Sequence, residues 1–193
     1  RIEHIQSLSL LHNKGKMSLD AFTIRNLEIF QSLSSQGIHG TLVKAVDYTI
    51  TGSGSRLLKN WLRQPLTDPE KINERLDRID ESITNPEILK MIQSNLTVTS
   101  DLERIIARVA SGKANPRDIL NAGNTLARIP FLQKGVKKDS PILKQLVNQF
   151  ENTAKITKSI LCLIQPDPPA TTNNGGYICN GVSSKLDKLR NLS

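Results

Sequence analysis

Apolar residues recur at helical spacing along most of the chain, and the apolar–polar alternation of a half-buried strand is nearly absent. The clearest stretch follows Asp68, where Ile72, Leu76, Ile79 and Ile83 repeat every four, three and four residues. That spacing draws one stripe along a helix. Asp68 before Pro69 supplies its start: a carboxylate that accepts orphan N–H groups, and a ring already set at the helical φ. Asn115 before Pro116 and Ser140 before Pro141 repeat the device.

The remaining elements follow from the same signals. Asp20 caps a helix through about Ser34, with Phe22, Leu27 and Phe30 on or near one face, before Gly37 and Gly40 break the pattern. Thr41 restarts it. TITGSGS at 49–55 reads as turn material, and SRLLKNWLRQPL as an amphipathic helix stopped by Pro65. Its stripe of Leu57, Leu58, Trp61 and Leu62 places Trp61 in the core. Pro86 opens a helix with Ile88, Leu89 and Ile92; Ser100 or Asp101 caps the next, with Leu102, Ile105, Ile106 and Val109, and Gly112 ends it. From Asn115 a helix runs to Ile129 and Pro130, and from Ser140 another carries Leu143, Leu146, Val147, Phe150 and Ile160 up to Pro166, Pro168 and Pro169. PDPPATTNNGG is then a loop, YICNG one short extended segment, and Ser183 or Ser184 opens a last helix with Leu186, Leu189 and Leu192. That helix reaches Ser193 without a C-cap, as expected of a boundary inside a longer protein. The expected fold is all-α, an irregular helical bundle with at most one or two short strands. No period of 20–50 residues repeats, which argues against a solenoid.

Composition narrows the function. The 193 residues are 37% hydrophobic, enough for an ordinary core. No run approaches the roughly 18 apolar residues of a membrane span, and the opening RIEHIQSLSLLHNKGK ends in no small-residue cleavage site. Cys162 and Cys179 lack zinc-site spacing and read as reduced, intracellular thiols; the sequons at Asn95 and Asn191 carry no weight beside them. The net charge of +8 is uneven: residues 1–100 hold 12 basic and 11 acidic groups, residues 101–193 hold 14 and 7. Such a surface attracts nucleic acid or simply stays solvated, and charge leaves both readings open. Aromatic residues make up 4%, so stacking platforms for single-stranded bases are not evident.

No catalytic constellation emerges. The pattern GxxxxGK[ST] is missing, and the glycines of TGSGSR precede Arg56 where a phosphate-binding lysine would stand, so they read as a turn. His4, His12 and His39 lack metal-ligand spacing and read as solvated. Asp77, Asp80 and Glu81 alternate with Arg75 and Arg78 in the manner of an exposed, salt-bridged face, and are assigned to solvent. No catalytic, cofactor-binding or metal residue is assigned.

Four stretches resemble the core domain of the MutS family. MSLDAFTIRNLEIF at 17–30, with Asp20 and Asn26, is similar to the family's Met-x-Leu-Asp-x-x-Thr-x-x-Asn-Leu-Glu segment. LVKAVDYTITGSGSRLLKNWLRQPLTDPEKINERLD at 42–77 follows a second signature through Asp47, Thr49, Thr51, Gly54, Arg56, Leu57, Leu58, Trp61, Leu62, Pro65, Leu66, Asp68, Ile72, Arg75 and Asp77. DLERIIARVASGKANPRD at 101–118 carries Asp101, Arg104, Arg108, Pro116, Arg117 and Asp118. DPPATTNNGGYICNGVSSKLDKLR at 167–190, with Gly176, Asp187 and Arg190, resembles the loop and helix that lead toward the family's DNA clamp. Departures are small: Val46, Ser53, Cys179 and Asn180 stand where leucine, methionine and charged residues are common.

The resemblance implies a core or lever segment, with a connector at 1–16, a helical body at 17–165 and a clamp-directed loop and helix at 166–193. The signature residues are then structural. It also implies a parent protein that binds mismatched double-stranded DNA, uses ATP and magnesium in domains outside this chain, dimerises and meets a MutL-type partner, without a membrane. A bacterial-type member would be cytoplasmic, a eukaryotic one organellar or nuclear. The alternative is a stand-alone helical adaptor binding proteins or DNA through its basic half. In the family, helices returning after the clamp complete the lever, so an uncovered apolar groove is expected here.

Overall fold

The computed structural model describes residues 15–136, 140–173 and 175–192. His4, His12, most of the expected connector and Ser193 lie outside these residues. Among them are eleven helical segments: α1 (Ala21–Asn26), α2 (Leu42–Val46), α3 (Gly52–Arg63), α4 (Pro69–Thr84), α5 (Pro86–Thr97), α6 (Leu102–Ala110), α7 (Pro116–Leu126), α8 (Ile129–Gly135), α9 (Pro141–Val147), α10 (Ala154–Leu163) and α11 (Ser184–Leu192). Extended pairing among the described residues is confined to two isolated antiparallel bridges, Lys16 with Leu66 and Ile164 with Ile178. The fold is all-α, as the periodicity requires. The described residues form two compact units, one holding residues 15–49 and Gly54–Leu76, the other Ile50–Ser53 and those from Asp77 onward.

The first unit is thinly packed. Asp20 caps α1 by accepting the Thr23 N–H at 2.6 Å, but the helix stops at Asn26 and does not reach Ser34. The chain turns at Glu28, whose φ is +47°, and its carboxylate then accepts from the Leu33 N–H and the Ser32 hydroxyl. A side chain that gathers local donors offers the backbone an alternative to the helical ladder, a competition that apolar spacing does not record. Thr41 restarts the helix as expected, accepting the Lys44 N–H at 3.2 Å. Among the described residues of this unit, Ile29 and Val43 are the buried hydrophobics.

Two expectations here need correction. Gly52, Ser53 and Gly54 form the first turn of α3 and are not a turn preceding it. Glycine disfavours a helix only through its backbone entropy, by about 1 kcal/mol per residue, and does not block one as proline does. Trp61 is not a core residue: it is 39% exposed, and its stripe mate Leu57 50%. Instead the Arg75 guanidinium lies over the indole, 3.7 Å from the ring centroid, so cation–π attraction replaces burial on one face. Trp61→Ala should therefore cost about 1–2 kcal/mol rather than the 3–5 of a core tryptophan. Side-by-side thermal melts of the two chains check this value, and a loss of 3 kcal/mol or more would restore the core assignment.

The second unit is packed more fully. Ile88 of α5, Val136, and Leu143 and Val147 of α9 form a buried cluster with Met91 and Ile92 against it. The helix expected from Asn115 to Pro130 is two helices: α7 ends at Leu126, and Pro130 sits in the first turn of α8, where a missing N–H costs nothing. The helix expected from Ser140 to Ile160 likewise divides into α9 and α10. Gly123 of α7 brings α10 close, since a Cβ there would lie 2.6 Å from Ile160 Cγ2. Glu81 is not a solvent carboxylate. It accepts the Leu143 N–H at 2.7 Å and the Ile142 N–H at 3.4 Å, capping the start of α9, while the buried Ser140 makes no side-chain cap. Asp77 and Asp80 are exposed, as expected.

The apolar stripe of α4 remains uncovered. Ile72, Leu76, Ile79 and Ile83 are between 37% and 68% exposed. Among the described residues no helix is long and apolar enough to cross a membrane.

Candidate functional site

Chemistry needs convergent donors, and the signature residues do not converge. They are spread over both units, each tying together segments that its own element brings near. Among the described residues no group of three or more His, Cys, Asp or Glu side chains is placed to hold a metal. What the signature residues build is a set of polar joints.

In the first unit Asp47, just past α2, accepts the Thr49 hydroxyl at 2.5 Å, the Thr49 N–H at 3.1 Å and, through its second oxygen, the Ser55 hydroxyl at 2.7 Å. The Thr49 hydroxyl, followed by that of Ser55, holds this carboxyl below the usual carboxylate range. The joint links the end of α2 to the first turns of α3, where Gly54 and Arg56 also lie. Pro65 follows two residues after the end of α3 and accepts the Met17 N–H through its carbonyl at 2.7 Å. Asp68 accepts the Glu70 N–H at 3.1 Å and pairs with Lys71 at 3.7 Å. Asn26 is exposed at the end of α1.

The strongest joint lies in the second unit. Asp101 caps α6 by accepting the Arg104 N–H at 3.3 Å, which sets the helix that carries Arg108. Arg108 then makes a two-pronged pair with Asp118 of α7, Nε to Oδ2 at 2.9 Å and Nη2 to Oδ1 at 2.6 Å. Asp118 also accepts the Asn115 N–H at 3.1 Å while the Asn115 side chain accepts the Asp118 N–H at 2.8 Å, closing a capping box. Arg108 holds the Asp118 carboxyl below its usual range, and Asp118 in turn raises Arg108. Pro116 is buried beside this box. Its neighbour Arg117 reaches across 51 residues to donate from Nε to the Pro168 carbonyl at 2.9 Å.

The last joint fixes α11. Beyond Gly175 and Gly176, whose φ of +65° and +75° suit glycine, the chain pairs back on the end of α10: Gln165 N–H donates to Tyr177 O and Cys179 N–H to Leu163 O, each at 2.9 Å. Arg190 donates from Nη2 to the Ile178 carbonyl at 3.0 Å and from Nη1 to Asn180 Oδ1 at 2.8 Å. Asp187 accepts the Gly181 N–H at 2.9 Å. Signature spacing identified Asp187 and Arg190 but missed Asn180 and the acceptor carbonyls, because backbone groups have no sequence signature. Glu81 was missed for another reason: its partners are 61 and 62 residues away.

This arrangement can hold helices at fixed angles. The family model for MutS domain III matches residues 22–190. The DNA mismatch repair protein MutS of Christiangramia forsetii is 39% identical over the whole chain. Proteins of the same name from Desulforamulus reducens and Methanosarcina mazei are 35% and 34% identical over the same extent. The chain spans 22% of the length of each of these relatives. A match of this breadth to a domain model, repeated in full-chain relatives, places the sequence: the chain belongs to the MutS family, as its domain III.

Proposed function

We propose that this chain is the structural and allosteric core of a MutS-type DNA mismatch repair protein, joining mismatched-DNA binding to ATP hydrolysis carried by other parts of the parent. The observation that carries the reading is the domain III match over residues 22–190 in a chain that spans 22% of its relatives. Chemistry by ATP and magnesium belongs, on this reading, to the remainder, and the chain itself has no catalytic site. Its task is mechanical: packed helices cross-linked by charge-assisted hydrogen bonds move as blocks and so carry displacement between distant sites.

The signature residues then serve as joints. Residues 1–16 act as a connector, 17–165 as the helical body, and 166–193 as the loop and helix toward the clamp. The parent dimerises, meets a MutL-type partner and works in the cytoplasm of a bacterial-type cell. Exposed apolar residues such as Phe22, Tyr48 and Ile83 are surfaces for other domains of the same protein.

The purified chain tests this division of labour. Titration calorimetry should detect no ATP binding at micromolar concentrations. Duplex DNA should bind weakly, with affinity that falls steeply as salt rises and no preference for a mismatch, because phosphate attraction needs only basic groups whereas discrimination needs base-reading or DNA-deforming ones. Micromolar ATP binding, or a mismatch preference at physiological salt, would contradict the reading.

A further inference from the structure

We infer that Arg190 is a positioning residue that locks α11 to the helical body, making this joint the point through which the angle of α11 is transmitted. The inference rests on the proposed lever role and names the part of the lever that sets its stiffness. Three observations converge. Arg190 uses two guanidinium nitrogens on two acceptors of one short segment, the Ile178 carbonyl at 3.0 Å and Asn180 Oδ1 at 2.8 Å. A planar fork fixes direction as well as distance, which a single-point contact cannot do.

That segment is itself anchored. Ile178 bridges Ile164, which is buried at the C-terminal end of α10, and α10 packs on α7 through the close approach at Gly123. Arg117 of α7 adds its bond to Pro168 in the intervening loop. A continuous chain of contacts therefore runs from α7 through α10 and the extended segment to Arg190 and α11.

Asp187 supplies the third observation. Its Oδ2 accepts the Gly181 N–H at 2.9 Å, but its Oδ1 is buried, makes no hydrogen bond among the described residues and faces Arg190 Nη1 at 3.9 Å. The guanidinium is thus the charge that compensates this oxygen as well as the fork that holds the segment. Without it α11 keeps its helical sequence and the Asp187–Gly181 bond but loses the two-point contact that sets its angle.

The test compares wild type with Arg190→Gln in two measurements. Within the full-length protein, amide exchange of residues 178–192 should quicken by about tenfold while exchange in α7 stays unchanged. In the full-length protein, the ratio of ATP turnover with mismatched duplex to turnover without DNA should fall by about fivefold, while DNA-free turnover and DNA affinity hold. An exchange pattern equal to wild type, or an unchanged turnover ratio, overturns the inference and leaves the lever reading standing. Wild-type turnover that ignores DNA sinks the lever reading itself. If Arg190→Gln prevents folding, Asn180→Ala removes one acceptor of the fork and should lower the ratio by a smaller factor; an unchanged ratio in that variant overturns the inference equally.

Discussion

Asp118→Ala should lower the stability of the chain by about 2–3 kcal/mol, the largest loss expected from any single side-chain truncation at a joint. The carboxylate accepts three bonds, two from Arg108 at 2.9 and 2.6 Å and one from the Asn115 N–H at 3.1 Å. Removing it leaves a guanidinium without its partner and opens the capping box of α7. The figure sits below the 3–5 kcal/mol of a fully buried pair because the Arg108 side chain is 42% exposed and water recovers part of its charge. Urea melts of the wild type and the variant measure it, and a difference under about 0.5 kcal/mol would remove the joint from the account.

The same pair gives the effect a pH dependence of known sign. Asp118 is held below the usual carboxylate range in the folded chain, chiefly by Arg108. Its contribution is therefore complete above the unfolded carboxylate value of about 4 and fades as pH falls through the lower folded value. Wild type and Asp118→Ala should differ most near neutrality and converge in acid. A gap that widens below pH 4 would contradict the assignment.

Gly123→Val should cost about 2–3 kcal/mol by a different route. A Cβ at this position meets Ile160 Cγ2 at 2.6 Å, and Ile160 Cβ and Leu161 Cδ2 at 3.2 Å. Those atoms belong to a neighbouring helix, so α7 and α10 must separate before the side chain fits. Gly123→Ala is milder, since alanine regains about 1 kcal/mol of helix propensity. If close approach is the cause, Ile160→Ala should relieve part of the Gly123→Ala penalty, and a double-mutant cycle reads that relief directly. Strictly additive losses would mean that the glycine serves another purpose.

How much of this was legible beforehand depended on whether the deciding interaction was local. Cap-and-proline pairs marked the starts of α4, α7 and α9; at α4 and α7 the capping side chain and its donor lie within four residues, whereas at α9 only the proline is local and the cap is Glu81. Interruptions were harder to read. Glu28 ends α1 early by gathering its own donors, and Pro130 opens α8 where it had read as a stop, since the same ring that breaks a helix interior is welcome in a first turn.

Amphipathic stripes told which face of a helix is apolar but not whether anything covers it. That is why Trp61 read as core and is in fact half-covered by Arg75, and why the clear stripe of α4 is exposed. Family signatures identified Arg108 and Asp118 without showing that they pair, and could not reveal Glu81 as the cap of α9, because its partners are distant in sequence. For Trp61 and Glu81 the miss is a partner farther along the chain, which periodicity cannot name.

Amide exchange across residues 15–192 in the full-length protein, with and without mismatched duplex and with and without ATP, tests the central claim most directly. A lever predicts that exchange in α7, α10 and α11 changes on adding either ligand, and that the two ligands together do not simply sum, since sites coupled through one body must affect each other reciprocally. Exchange in these helices that ignores both ligands, or responses that add independently, would contradict the account.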